Sequence, residues 1–174
     1  MTKLAQSFVV LAAIALAGLG STGALADKIK DTGGYDAAFS KRDALPIPGQ
    51  EGHELVLAEA NGTTTSPGGQ LDGFSVSERE IADLIQGNGP QQGYVIFSKG
   101  SDQQTVRFEG NVTTTLKDGQ PNTTMKGKYV LVGGTGALAG IEGEGTYSGY
   151  FTAADKYHLD WEGTRSAVKN ALAD

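Results

Sequence analysis

The sequence predicts an all-β domain, a sandwich or a closed barrel of antiparallel strands. Two observations point there. From His53 onward apolar and polar residues alternate with period two, and clusters of Gly, Asn and Asp break the alternation at regular intervals. Glycine is also abundant, at 26 residues against 6 Phe, 6 Tyr and 1 Trp. That balance suits a small, tightly bent barrel, whose strands need glycine at corners.

Residues 1–26 read as a cleaved export signal. Lys3 precedes the apolar run FVVLAAIALAGLG, and small residues lead to Ala24-Leu25-Ala26, an A-x-A processing site. The run is too short for a confident span, and no later segment approaches the roughly 20 apolar residues that a membrane helix requires. The expected product is secreted or periplasmic. Zero cysteines exclude disulfides, thiolate catalysis and Cys-based zinc sites, and suit a bacterial periplasm. The net charge of -6 argues against nucleic acid or anionic lipid as partners. The length suits one domain able to bury its own core.

Residues 27–50 mix charges with Gly and Pro without a sustained period, and read as an N-terminal arm or linker before a barrel domain at 51–165. In HELVLAEAN, Leu55, Leu57, Glu59 and Asn61 share one face, and Glu54, Val56, Ala58 and Ala60 the other. From the residues alone Glu59 either ends the strand facing solvent or points into a lumen beside Leu55 and Leu57. SEREIADLIQG, residues 77–87, fits a short helix or a broken strand, because Ile81, Leu84 and Ile85 also fall at helical spacing. GYVIFSKG sets Val95 and Phe97 against Tyr94, Ile96 and Ser98. TVRFEGNVTTTL sets Val106, Phe108 and Val112 against Arg107, Glu109 and Asn111. Lys117-Asp118-Gly119-Gln120 signals a hairpin turn, and the chain returns through MKGKYVLVGG. Two more strands follow, with Tyr147 and Phe151 on one face of GTYSGYF and Tyr157, Leu159 and Trp161 on one face of KYHLDWEG. Residues 166–174 read as a tail.

GGTGALAG, residues 133–140, lies between antiparallel strands and lacks the βαβ context or GK[ST] ending of a phosphate loop. It reads as a Gly-rich turn with one helical turn at Ala137–Gly140. His53 and His158 show no metal-ligand spacing, and G-x-S-x-G is absent, so neither a metal nor a cofactor is expected. Lys99, Arg107, Lys126 and Lys128 read as a solvated outer face.

The spacing E-x-N…S-P, carried by Glu59, Asn61, Ser66 and Pro67, resembles the active-site strand and loop of allene oxide cyclases. MKGKYVLVGGTGALAGIEGEGTYSGYF resembles a segment that this family shares with dirigent proteins. The resemblance covers roughly residues 53–165. It implies an eight-stranded antiparallel barrel with short helical turns, an apolar lumen and assembly as a trimer. It further implies Glu59 as an acid that helps to ionise an unsaturated epoxide, with Asn61, Ser66 and Pro67 holding a water at the developing oxyanion. Leu55 and Leu57 would line the ligand cavity beside Val76, which stands where a second water-holding asparagine is expected. Two functions are carried forward: a barrel that binds a small apolar or amphipathic molecule, or serves in assembly, without catalysis; and a cofactor-independent cyclase or isomerase.

Overall fold

The structure, a computed structural model, describes residues 28–166; the expected signal lies outside the described residues, as does the tail beyond Ser166. Eight strands run in sequence order and pair with their chain neighbours: β1 Lys28–Pro46, β2 His53–Thr64, β3 Ser75–Ile85, β4 Gly89–Lys99, β5 Asp102–Lys117, β6 Gln120–Thr135, β7 Gly143–Ala153 and β8 Lys156–Ser166. Antiparallel pairing of β1 with β8, from Lys28↔Ser166 to Ala38↔Lys156, closes the ring. The eight-stranded barrel is therefore as expected. A single 3-10 turn at Gly136–Leu138 lies within the glycine-rich connection and buries Leu138.

One reading needs correction, and one alternative is resolved. The segment read as an arm, 27–50, supplies β1, so the barrel begins at Lys28 rather than at 51. Its pattern was obscured because the buried positions Asp31, Tyr35 and Ala37 include an acid and a small residue, and a bulge between Phe39 and Lys41 shifts the register. Residues 77–87 form no helix. Ser77–Ile85 belongs to β3, which buries Val76, Glu78, Glu80, Ala82 and Leu84 in strict alternation. Two inward glutamates disguised that period.

Large and small inward residues interlock across the lumen, as a narrow barrel requires. Tyr147 lies over Gly110 and Gly127, and a Cβ at Gly127 would collide with its ring and with the backbone of β5. Gly33 makes room for Trp161 in the same way. At the β5–β6 hairpin Asp118 and Gly119 both have positive φ, 52° and 76°, the conformation that a tight two-residue turn demands. At the opposite end the β2–β3 connection folds inward. Leu71 and Phe74 are buried there, and Thr64 Oγ1 donates to the Leu71 carbonyl at 2.6 Å.

Candidate functional site

The residues proposed for the site from sequence do not meet. Glu59 points out of the barrel and forms an ion pair with Arg79 on β3 at 3.1 Å. Leu55 and Leu57 lie on the same outer face, 41% and 52% exposed. Asn61 is exposed too, and its Nδ2 donates to Ser40 Oγ at 3.0 Å. Ser66 sits at a barrel end, where its Oγ accepts from the Gly34 N–H at 2.7 Å and ties the loop to β1; Pro67 beside it is exposed. Of these residues Val76 alone is buried on the inner side. The inner face of β2 is the other one: Val56, Ala58 and Ala60. Small side chains suffice there because the rings of Tyr35, Tyr157 and Phe97 fill the interior.

A different acid occupies the lumen. Glu78 sits on the inner face of β3, and its Oε2 accepts hydrogen bonds from the hydroxyls of Tyr35 on β1 at 2.7 Å and Tyr157 on β8 at 2.6 Å. Closure of the ring brings those three strands' side chains together. Burial pushes the Glu78 carboxyl up; the two hydroxyls pull the other way without restoring it to the ordinary range. Glu80, two residues on along the same face, is pushed up to about 8 by burial and by Glu78, with Arg42 opposing. Burial, then the neighbouring Glu78, raises both Tyr35 and Tyr157, so neither phenol ionises near neutrality.

The polar lining continues around the cavity. Gln91 on β4 donates through Nε2 to the Tyr147 hydroxyl at 3.0 Å, while its buried Oε1 has no partner. Tyr129 donates to Asp31 at 3.3 Å, and Arg165 Nε lies 3.8 Å from the other carboxylate oxygen of Asp31. Val95, Phe97, Val106, Phe108, Met125, Leu159 and Trp161 supply apolar wall between these groups. The cavity they enclose is about 40 Å³. A water needs about 10–15 Å³ by that measure, so the space suits a few waters or a molecule of few heavy atoms. A long acyl chain enters only if rings swing aside.

Outside the lumen, His158 bridges Asp36 at 2.7 Å and Asp160 at 3.2 Å. Partial burial pulls the imidazole down, but the two carboxylates outweigh it and its pKa is raised. The charged strand positions behave as expected: Lys99, Arg107, Lys126 and Lys128 are all exposed, and Lys128 pairs with Glu109 at 3.3 Å. No helix among the described residues is long and apolar enough to cross a membrane.

Sequence reasoning missed the lumen acids because E-x-E within SEREIAD resembles the solvated side of a helix. The available signal was Val76, Ala82 and Leu84 at even spacing on either side of Glu78 and Glu80, which places both carboxylates on the apolar face of a strand.

No family model matches the chain, and no curated protein matches it. Among solved structures it is similar to two pterocarpan synthase dirigent proteins. One is 13% identical with a TM-score of 0.43, over 95% of this chain and 100% of that one. The other is 13% identical with a TM-score of 0.45, over 83% of this chain and 97% of that one.

Proposed function

We propose that this protein is a non-catalytic β-barrel that takes up a small amphipathic molecule in its lumen. The observation that carries the reading is a mainly apolar cavity inside the barrel whose lining includes the buried polar residues Glu78 and Gln91. Trp161 is the only tryptophan and lines the cavity, so its emission reports occupancy. 1-Propanol titrated into the protein is expected to give a saturable change in that emission. The change should vanish in Val106→Phe, which fills the lumen, and survive in Leu57→Ala on the outer face. A linear, unsaturable response in the wild type would sink the reading.

One observation favours a second reading, an isomerase or cyclase that folds a reactive unsaturated epoxide. Glu78, held by two hydroxyls and with its carboxyl pushed up by burial, is placed as a general acid toward the lumen. In this reading Glu78 does the work that sequence assigned to Glu59. Chiral analysis of products from a freshly generated fatty-acid allene oxide tests it. An optically enriched cyclopentenone that is lost in Glu78→Gln supports the cyclase, and a racemate identical to the protein-free control rejects it. Export to a periplasm or the cell exterior, and assembly into a homotrimer through the outer face, complete the proposal.

A further inference from the structure

The junction of β1 with β8 is pinned on both of its faces at one level of the barrel. Alternation sends Tyr157 inward and His158 outward on β8, and Tyr35 inward and Asp36 outward on β1. The inner pin is the pair of tyrosine hydroxyls on Glu78. The outer pin is His158, which stands across the ladder from Asp36 on one side and from Tyr150 of β7 on the other. Its Nδ1 lies 2.7 Å from Asp36 Oδ1, and its Nε2 lies 3.2 Å from Asp160 Oδ1.

Hydrogen-bond chemistry restricts how one imidazole can serve both oxygens. An ionised carboxylate only accepts, and a neutral imidazole carries a single N–H. Neutral His158 therefore satisfies one aspartate and turns a lone pair toward the other, whereas the imidazolium donates to both. The Tyr150 ring, with its centroid 5.6 Å from that of the imidazole, adds an aromatic face that favours the cation. Partial burial pulls the other way, but the hydrogen bonds to Asp36 and Asp160 outweigh it. Lys156 precedes His158 by two positions on the same face of β8, and Lys126 of β6 and Glu162 of β8 line the same outer groove. Among the described residues, Asp36 and Asp160 are the ion-pair partners of His158.

We propose that His158 is a pH-responsive clasp on the junction that closes the barrel: as the imidazolium it ties β8 to β1 through Asp36, and loss of its proton loosens the junction there. The pKa of His158 is raised on folding from an ordinary 6.5. Such a group adds stability that is complete below the unfolded value and lost as pH climbs through the folded one. The junction is therefore tightest in mildly acid solution and opens more readily as pH rises. It is also the one strand pairing with no hairpin to hold it, so this is the line along which the ring parts without breaking a connection between neighbours.

Amide hydrogen exchange, read by mass spectrometry between about pH 5.5 and about pH 8.5 and corrected for the intrinsic pH dependence, tests the clasp. Wild type is compared with His158→Gln, and the difference between them removes the slopes of Glu78 and Glu80, which both chains share. Protection of the β1 and β8 peptides around Asp36 and His158 is expected to fall about two- to fivefold more in wild type than in the variant, the size that a screened, half-exposed ion pair gives. Added salt should shrink that difference. Asp36→Asn should shrink it as well and lower the His158 midpoint in an NMR titration, which keeps the proposal testable if His158→Gln does not fold. Wild-type protection that tracks His158→Gln at every pH overturns the clasp. A His158 midpoint indifferent to Asp36→Asn overturns it equally. Junction amides as well protected as those of the β4–β5 hairpin at the alkaline end would show that the ladder opens only with the whole barrel, and would overturn release at the junction.

Discussion

Glu80 shows what a single inward carboxylate costs a barrel. Its folded pKa is raised to about 8 from an ordinary 4.5, so folding favours the protonated form. For a group raised on folding, the contribution to stability is complete below the unfolded value and lost as pH climbs through the folded one. Wild-type stability should therefore decline between about pH 4.5 and pH 8. Glu80→Gln removes that slope, and urea denaturation should find it more stable than wild type at pH 8 by on the order of a few kcal/mol, with much less difference at pH 4.5. Equal wild-type and variant slopes would show that Glu80 is solvated. At this scale the sequence was partly legible. Val106, Phe108, Val112, Tyr147, Tyr157 and Trp161 lie inside as alternation predicts. Glu59 did not follow, because both faces of β2 are apolar and alternation separates two faces without saying which is inner. Bulk suggested the leucine face, yet the rings of Tyr35 and Tyr157 leave room on the inner face for only Val56, Ala58 and Ala60.

At the scale of the element, the readable strands were those with one clean apolar face, and the hidden ones carry function-like residues inward. β5 and β6 were legible from alternation and from Asp118-Gly119 at their turn. β3 was ambiguous because its interior positions include two acids, and β1 because a bulge and Asp31 interrupt it. Glycines on β6 and β7 state the same packing rule from the other side. Gly127 faces Tyr147 and the β5 backbone so closely that Gly127→Ala must displace the ring or the strand. The expected loss is about 1–3 kcal/mol, measurable as a lower urea midpoint with an unchanged m value. The matched change at Gly119, where a Cβ meets nothing within 4 Å but φ is 76°, strains the turn alone.

For the whole molecule, Leu55 and Leu57, assigned from sequence to a ligand cavity, instead belong to an apolar exterior. Leu45 pairs with Leu55 and Leu57 with Ile81 across β1, β2 and β3, and all four side chains stand exposed. Ile85 and Tyr94 extend the stripe at 55% and 50% exposure. Contiguous exposed apolar surface of this kind is characteristic of contact faces. Light scattering at micromolar concentration is expected to give the mass of a trimer. Leu57→Lys combined with Ile81→Lys should shift it to a monomer without unfolding, and a wild type that already runs as a monomer would reject assembly through this face.

Seven of the eight strand pairings join neighbours along the chain, and only β1 with β8 spans nearly the full length of the described chain. That one pairing is also the seam that supplies Tyr35 and Tyr157, from opposite sides of the closure, to the same Glu78 oxygen. The hairpins need only short loops to form, whereas the seam must overcome the entropy of closing a loop of more than a hundred residues. Until it zips, Tyr157 on β8 lies at the opposite edge of the meander from β1, and the meander has two bare edges. The Tyr157–Glu78 contact thus acts as a latch across the closing seam as well as a group facing the lumen, and losing Tyr157 is expected to favour an intermediate open along one defined line, with sticky edges there for another copy to pair with.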